Sequence, residues 1–493
     1  MCAHMKVRMR LWNQICTLLK VLKSFALDDS KIYDNFEYKV STEGSITITK
    51  YKGNDKEVSV PETIEGKSVE YIGANAFSNK STVTTVLLPN SIHNVKPSAF
   101  EGCKNLNGIN IPNSTVYIGE KAFKDCISLS SINIGENVES IGEEAFENCR
   151  NLLNVNIPSS VYIIEENAFE GTAIIDNQTD DLKFIDNWII KCDSFNNEIS
   201  IPDGIIGISD KAFSKLNNLE TVVLPDSLQS LGERAFEDCH KLCSVSIPDN
   251  VKRVGSNAFE NTKIIFNQPD EIKTVDKWVV GHQGLMKSPV VIPANCTKVA
   301  ESAFVYCHSE SITFSNGLEY IGSGAFEHMD NILNIDIPEN VKTIDQYAFH
   351  SCKNLQEVII RKGVNKIGRH AFDDCKNLKK ITIPSTVTEI GKLAFGFNSS
   401  DPIDLTLYCV KGSQAEQYAK DNKINYKLIE EEIEKSSKEE TIYSISDESS
   451  STVIENNKSK ENNNEYNLPI ISTMAGLGIG AIISIIIVII KKR

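Results

Sequence analysis

The sequence predicts a β-rich solenoid built from repeats of about 23 residues, with one transmembrane helix near the C-terminus. Three observations support this prediction. Ala-Phe dipeptides recur at an almost constant spacing, a proline precedes most of them by a fixed interval, and an uncharged apolar run stands near the end of the chain. A repeat with one apolar edge cannot bury that edge alone, whereas stacked repeats bury every edge except the outermost two.

The repeat is defined by thirteen Ala-Phe dipeptides, most of them 23 residues apart. Their phenylalanines are Phe77, Phe100, Phe123, Phe146, Phe169, Phe213, Phe236, Phe259, Phe304, Phe326, Phe349, Phe372 and Phe395. Two longer intervals, of 44 and 45 residues, each predict one extra turn without the dipeptide. The spacing therefore predicts about fifteen coils.

One repeat contains the signals for a strand, a turn and a buried ring. Leu129, Ile132 and Ile134 fit a short strand with one buried face. A proline eleven residues before the phenylalanine ends this strand in nine repeats, because proline cannot donate to a sheet. Glycine four residues before the phenylalanine, as at Gly142, predicts a bend that a side chain would make costly. Phe146 is expected to fill the coil interior.

The pattern Ile-Pro-x-x-Val-x-x-Ile-Gly-x-x-Ala-Phe-x-x-Cys resembles the BspA-like leucine-rich repeat family. This resemblance implies short parallel strands, an N-terminal cap at 28–70, a solenoid at 71–402 and a C-terminal cap at 403–429. It also implies surface display, adhesion to host or matrix proteins and contact between cells. That implication is an analogy, because a fold does not fix a function.

Two irregular coils, residues 172–192 and 262–282, align with each other at an offset of 90 residues. The alignment implies an internal duplication of a four-coil block. It matches Trp188 with Trp278, and two interpretations of these residues stay open. They are either exposed binding anchors, since tryptophan is enriched at binding hot spots, or core residues that replace the missing phenylalanine.

Residues 469–490 are predicted to cross a membrane, because Ile470 to Ile490 carries no charge and is long enough to span a hydrocarbon core of about 30 Å. The basic tail 491–493 is expected in the cytoplasm, which makes the chain a single-pass type I plasma-membrane protein with an extracellular solenoid. Residues 430–468 are expected to form a disordered acidic stalk. Small residues four apart in the span either pack against a second copy, giving a homodimer, or face lipid. They are Ser472, Gly476, Gly480 and Ser484.

Residues 1–27 are either a weak signal peptide or an amphipathic helix. Without a signal, the chain would be a tail-anchored intracellular scaffold for protein–protein interaction, with its solenoid in the cytosol. Sites of the type Asn-x-Ser/Thr fit an exported chain, although an asparagine-rich sequence also produces them by chance. Their asparagines are Asn79, Asn113, Asn177, Asn295, Asn398 and Asn457.

Enzymatic chemistry has no positive sign in this sequence. The net charge of −15 disfavours nucleic-acid partners. No metalloprotease, nucleophile-elbow or phosphate-loop motif occurs, so we predict no catalytic residues and no cofactor. Cys239, His240 and Cys243 lack a second ligand pair, and no metal site is predicted. Seven cysteines stand three residues after a repeat phenylalanine and are expected to form a column of buried free thiols: Cys103, Cys126, Cys149, Cys239, Cys307, Cys352 and Cys375.

The outward-facing residues of successive strands form the candidate binding face. Most are small and polar, which suits contact with a protein or a glycan over a long, shallow area. The alternative is that these side chains bond to one another and keep the sheet soluble. The column consists of Leu87, Asn110, Asn133, Asn156, Val223, Ser246, Thr313, Asp336, Ile359 and Thr382.

Overall fold

The computed structural model describes residues 30–396 and 404–430. The chain divides into two units at Ser446, and every described residue belongs to the first. This part is a β-solenoid of about 16 turns, close to the number that the spacing of the phenylalanines predicts. Each regular coil contributes two short strands, and each of these strands usually pairs in parallel with its equivalent in the next coil.

The first strand of a coil precedes the repeat proline, and its central residue faces the core, as Ile132 does in Ser131–Asn133. The first strands are Glu57–Ser59, Thr85–Leu87, Gly108–Ile109, Ser131–Asn133, Asn154–Asn156, Glu198–Ser200, Thr221–Val223, Ser244–Ser246, Val290–Val291, Ile312–Thr313, Asn334–Ile337, Glu357–Ile360 and Lys380–Ile383.

In most coils the second strand consists of the two residues that are six and five positions before the repeat phenylalanine. Only its last residue points steadily inward, as Ile141 does in Ser140–Ile141. The second strands are Lys67–Ile72, Asn94–Val95, Tyr117–Ile118, Ser140–Ile141, Ile163–Ile164, Gly207–Ile208, Ser230–Leu231, Arg253–Val254, Lys298–Val299, Tyr320–Ile321, Thr343–Ile344, Lys366–Ile367 and Glu389–Ile390.

Both ends of the described solenoid carry caps. At the N-terminal end, Lys31–Tyr33, Phe36–Val40 and Ile46–Tyr51 pair antiparallel, and Thr63–Ile64 pairs with the start of Lys67–Ile72. At the C-terminal end lie Thr406–Val410, helix Gln414–Asp421 and Asn425–Ile429. Ser413 caps this helix by accepting a hydrogen bond from the Glu416 amide.

The two irregular coils each contain a one-turn helix and an antiparallel hairpin. The first consists of helix Ala173–Asp176 with strands Leu182–Ile185 and Trp188–Cys192. The second consists of helix Lys263–Phe266 with strands Ile272–Val275 and Trp278–His282. Two consecutive amides of the following coil bond to different predecessors: Ser209 donates to the Ile189 carbonyl of the hairpin, and Asp210 to the Ile164 carbonyl of the preceding regular coil. Each hairpin therefore wedges between two regular coils.

The repeat phenylalanines form the core, as expected, and most neighbouring rings stack. The Phe100 and Phe123 ring centroids lie 5.2 Å apart with planes only 4° from parallel. A side chain is costly at the glycine four residues before the phenylalanine, as predicted, although the φ of Gly142 is not positive. A Cβ on Gly142 would lie 2.6 Å from the Glu120 amide nitrogen, so close approach of two coils requires this glycine.

Candidate functional site

The first-strand face is the column of outward side chains that the sequence singles out, and most of it is exposed. Asn110, Asn133, Asn156, Val223, Ser246, Thr313 and Asp336 are exposed, and Ile359 is half-buried. Thr382 alternates with the core residues Ile381 and Ile383 and therefore belongs to the same face, but it is only 4% exposed. Thr382 is in register with Tyr408 of the C-terminal cap, whose ring lies beneath the amines of Lys380 and Lys427.

The first-strand face is also divided, whereas the sequence predicts one continuous column. The first strands pair within four stretches, ending at Asn156, at Ser246, at Thr313 and in the C-terminal cap. The first two breaks fall where a hairpin separates neighbouring coils. A ligand that follows this face therefore meets four short surfaces.

Hydrogen bonding distinguishes the members of the face. Asn110 is used internally, since its side chain accepts from the Leu88 amide at 2.9 Å and donates to the Leu88 carbonyl at 3.0 Å. Asp336 holds Arg361 through two hydrogen bonds of 2.8 and 2.7 Å. Within the described part of the chain, Asn133 and Asn156 form no side-chain hydrogen bond. These two amides are free to bind a partner.

Apolar side chains stand among the polar ones on the same face. Leu87 is 58% exposed, Val223 is 49% exposed and Val291 is 54% exposed. Burial of such side chains stabilises a complex by about 25 cal/mol per Å² of apolar surface. Neighbouring free amides would add directional hydrogen bonds.

Trp188 and Trp278 are buried in the core, so the interpretation as exposed anchors is wrong. Each tryptophan pairs with the first residue of the next second strand, Gly207 and Lys298 respectively. A Cβ on Gly207 would lie 2.5 Å from the Trp188 ring, which explains the glycine there. At the other position the Lys298 amine lies 5.1 Å from the centre of the Trp278 ring.

The second strands line a different surface, an inner cleft of about 440 Å³. Its walls include Tyr162, Arg253, Glu301, Tyr320 and Asp345. The buried Arg253 guanidinium binds the Glu301 carboxylate through two hydrogen bonds of 2.8 and 2.7 Å. The Tyr320 hydroxyl donates to Asp345 at 2.7 Å. The inner cleft therefore brings together charged and aromatic groups from coils that are far apart in the sequence.

Burial changes the titration of groups at and beside the cleft. Desolvation raises the pKa of Asp210 to about 7, although the nearby Arg253 charge opposes this change. Burial also raises the pKa of Glu301 above the ordinary value, again against the effect of Arg253. The pKa of the Tyr162 hydroxyl is raised by burial and by the Glu139 carboxylate.

The cleft was not predicted from the sequence, although a local sign of it exists there. Second-strand residues six before the phenylalanine face away from the core and vary widely, from Ser140 to Arg253 to Tyr320. An arginine at such a position faces away from the core of its own coil, so it can be buried only when residues of distant coils surround it. The sequence places each residue on a face of its own coil but does not show which coils lie opposite.

The described residues contain one group of three potential metal ligands, Glu327, His328 and His350.

The predicted thiol column is present, and its seven cysteines are free. Six lie in the core, and Cys375 is partly buried. Cys126 is typical, donating from its Sγ to the Phe100 carbonyl at 3.2 Å. Each such thiol satisfies a carbonyl of an earlier coil.

The predicted membrane span 469–490, with its small residues Ser472, Gly476, Gly480 and Ser484, lies outside the described residues. Residues 1–27 and nearly all of the stalk 430–468 also lie outside them. Within 30–396 and 404–430, none of the helices combines the length and the apolar character that crossing a bilayer requires.

Several solved leucine-rich proteins are similar to this chain. A leucine-rich cell surface protein from Faecalibacterium prausnitzii is 24% identical, with 79% of this chain and 97% of that one covered at a TM-score of 0.29. The pneumococcal vaccine antigen PcpA is 19% identical over 81% of this chain and 98% of its own, with a TM-score of 0.28. The T. pallidum leucine-rich repeat protein is 23% identical over 44% and 83%, with a TM-score of 0.27.

A search of curated proteins found no match. The profile of the family described as BspA type Leucine rich repeat region, in contrast, matches in six copies. The matched residues are 54–176, 179–286 and 282–400, which together make up well over half of the chain. The chain therefore belongs to the BspA-type leucine-rich repeat family.

Proposed function

We propose that this chain is an adhesin-like cell-surface protein that binds proteins or glycans through the first-strand face. Members of its family are generally binding scaffolds without enzymatic activity. The observation that carries the proposal is the stretch of first-strand face at Asn133 and Asn156, where two exposed amides without internal partners repeat from coil to coil. Such spacing suits a ligand that makes the same contact more than once.

The proposal includes the topology that the sequence predicts. The span 469–490 would hold the chain in the plasma membrane, and the stalk 430–468 would separate the extracellular solenoid from the bilayer. Two copies would associate through Ser472, Gly476, Gly480 and Ser484. Antibody labelling of intact cells that express the full chain tests the display. Absence of signal before permeabilisation would remove the proposal.

Binding is tested separately, by adhesion of the same cells to surfaces coated with matrix proteins and to a glycan array. We expect Asn133→Arg with Asn156→Arg to reduce adhesion by at least about tenfold, because two arginines would obstruct the face. The matched control is Ser128→Arg with Asn151→Arg, which adds the same charge to the same two coils on the preceding turn. Equal adhesion by both variants would exclude this stretch as the binding surface.

The alternative is an intracellular, tail-anchored scaffold, which the weak N-terminal signal favours. Four of the asparagines in Asn-x-Ser/Thr sites are described and exposed: Asn79, Asn113, Asn177 and Asn295. An exported chain offers these sites to the glycosylation machinery, whereas a cytosolic solenoid does not. A mass decrease after glycosidase treatment of the protein from eukaryotic cells would exclude the scaffold.

A further inference from the structure

Two imidazoles and one carboxylate meet where adjacent coils stack. Glu327 and His328 directly follow Phe326, and His350 directly follows Phe349 in the next coil. The Glu327 Oε1 atom lies 2.9 Å from His350 Nδ1 and 3.6 Å from His328 Nε2. One donor atom from each of the three residues lies within 4.8 Å of the other two.

These distances suit a single small cation. Ligand atoms about 2.0 to 2.2 Å from a tetrahedral zinc ion lie about 3.3 Å from one another. The Glu327–His350 and Glu327–His328 separations bracket that value, so small side-chain rotations suffice. Each of the three side chains is about a quarter exposed, which leaves an approach for an ion.

The rings are held in place before any ion arrives. His328 stacks on Tyr306, with centroids 4.6 Å apart and planes 7° from parallel. The Tyr347 ring meets His350 edge-on at 5.5 Å. The His328 amide also donates to the His350 carbonyl at 3.0 Å. Because the rings are already oriented, binding would cost little side-chain entropy.

We propose that Glu327, His328 and His350 form a binding site for a divalent transition-metal ion of the zinc class. Two imidazoles with one carboxylate suit zinc, whereas calcium and magnesium prefer sites made of oxygen atoms. Three protein ligands leave a fourth position for water. The bound ion joins the coil of Phe326 to the coil of Phe349 and stabilises their interface. This site is separate from the first-strand face, and it does not depend on the proposed function.

The experiment titrates Zn²⁺ into the full chain, purified in detergent and stripped with a chelator, by calorimetry. We expect one ion per chain, together with the visible absorption of four-coordinate Co²⁺ when cobalt replaces zinc. Removing a group that only hydrogen-bonds to a metal ligand weakens metal binding by about 10- to 100-fold. His328→Ala removes a ligand itself and should therefore weaken Zn²⁺ binding by at least about 100-fold. His350→Gln should do the same while retaining a hydrogen-bonding side chain beside Glu327.

The matched control is His240→Ala with Cys243→Ser. It removes two potential metal ligands that are close together in the sequence of a different coil, and it leaves Glu327, His328 and His350 intact. It should bind Zn²⁺ like the parent chain. Circular dichroism establishes that each variant is folded, and His350→Gln gives the result if His328→Ala does not fold. Absence of stoichiometric Zn²⁺ binding would overturn the proposal, as would binding that survives His350→Gln or disappears in the control. In that case Glu327 and His350 form an ordinary hydrogen bond only.

Discussion

At the residue scale, the phenylalanine and the cysteine of a coil make nearly the same contacts in one repeat after another. The Phe100 amide donates to the Ala122 carbonyl of the next coil at 2.8 Å, and the Cys149 thiol donates to the Phe123 carbonyl at 3.1 Å. Burial raises the pKa of Cys149 to about 12, so this thiol stays protonated at neutral pH. The core cysteines therefore act as small apolar residues with a weak donor.

Asp210 provides a prediction for the pH dependence of stability. Its folded pKa of about 7 exceeds the usual value, so the folded state keeps a proton that the unfolded state releases as the pH rises above about 4. The free energy of unfolding should therefore fall by roughly 2 to 4 kcal/mol from about pH 4 to pH 7 and then level off. Urea unfolding of the parent chain and of Asp210→Asn measures this contribution.

Asp210→Asn should be more stable than the parent at neutral pH and should lack most of that decline. The side-chain oxygen of asparagine can still accept from the Glu233 amide, which lies 2.7 Å from Asp210 Oδ1. Asp226→Asn, at an exposed turn, is the control and should leave the pH profile unchanged. An Asp210→Asn profile that parallels the parent would show that the Asp210 carboxyl titrates normally.

Arg253 provides a second prediction at this scale. Arg253→Met should lower the free energy of unfolding by about 3 to 5 kcal/mol, because the Glu301 carboxylate would stay buried without its partner. Adding Glu301→Gln should recover part of that loss. Chemical denaturation at pH 7 measures both variants. Lys277→Met, which breaks the exposed pair with Asp249, is the control and should have little effect. A small effect of Arg253→Met would mean that water reaches the pair.

At the element scale, the coils from Phe77 to Phe372 turn at two left-handed residues, two before and two after the repeat phenylalanine. Around Phe123 these are Lys121, with φ 55°, and Asp125, with φ 60°. Non-glycine residues occupy most such positions, at a cost of about 1 to 2 kcal/mol each. Stacking of neighbouring coils offsets this cost, which explains why glycine is not required there.

Introducing a glycine at a left-handed position and removing the glycine at the close approach of two coils should therefore change the free energy of unfolding in opposite directions. Lys215→Gly, at an exposed residue with φ 64°, should raise the free energy of unfolding by about 0.5 kcal/mol. Gly142→Ala should lower it by about 1 to 3 kcal/mol, because the new Cβ would collide with the backbone of the preceding coil. Thermal and urea unfolding of the two variants test this. Destabilisation by Lys215→Gly would contradict the assigned strain.

At the scale of the whole described solenoid, the core separates into three apolar clusters. The first runs from Phe36 to Trp188, the second from Ile189 to Ala300 and the third from Val279 to Ile424. Their boundaries fall at the two hairpins. Polar contacts such as that of Lys392 with Glu43 of the N-terminal cap, at 2.7 Å, join distant parts of the solenoid, but such exposed pairs contribute little. The clusters are expected to unfold with partial independence.

Phe372→Ala tests this independence, because it opens a cavity in the third cluster that costs about 3 to 5 kcal/mol. Hydrogen exchange followed by mass spectrometry should show faster exchange in residues 290–396 and little change in 57–156. Phe100→Ala is the reciprocal control and should accelerate exchange in the first cluster instead. Equal acceleration throughout both variants would show that the solenoid unfolds as a single cooperative unit.

The repeat pattern was sufficient to predict the coils, the buried phenylalanines and the thiol column. These features depend on contacts between a residue and its equivalent one coil away, and a constant spacing reveals such contacts directly. The first-strand face was predicted less well. Thr382 is covered by the cap, and the hairpins divide the column, because both effects depend on how irregular segments pack.

The inner cleft and the Glu327, His328 and His350 cluster could not be derived in the same way. The cluster leaves a trace in the sequence, since histidines follow the phenylalanines of two consecutive repeats, but ring orientation depends on Tyr306 and Tyr347. Arg253 and Glu301 meet because a hairpin inserted between their coils changes which backbones are neighbours. Periodicity therefore determined the family, the coil and its interior, since these are local and repeated. Three-dimensional packing alone brought together the charged groups, because the interruptions in the repeat control which distant coils meet.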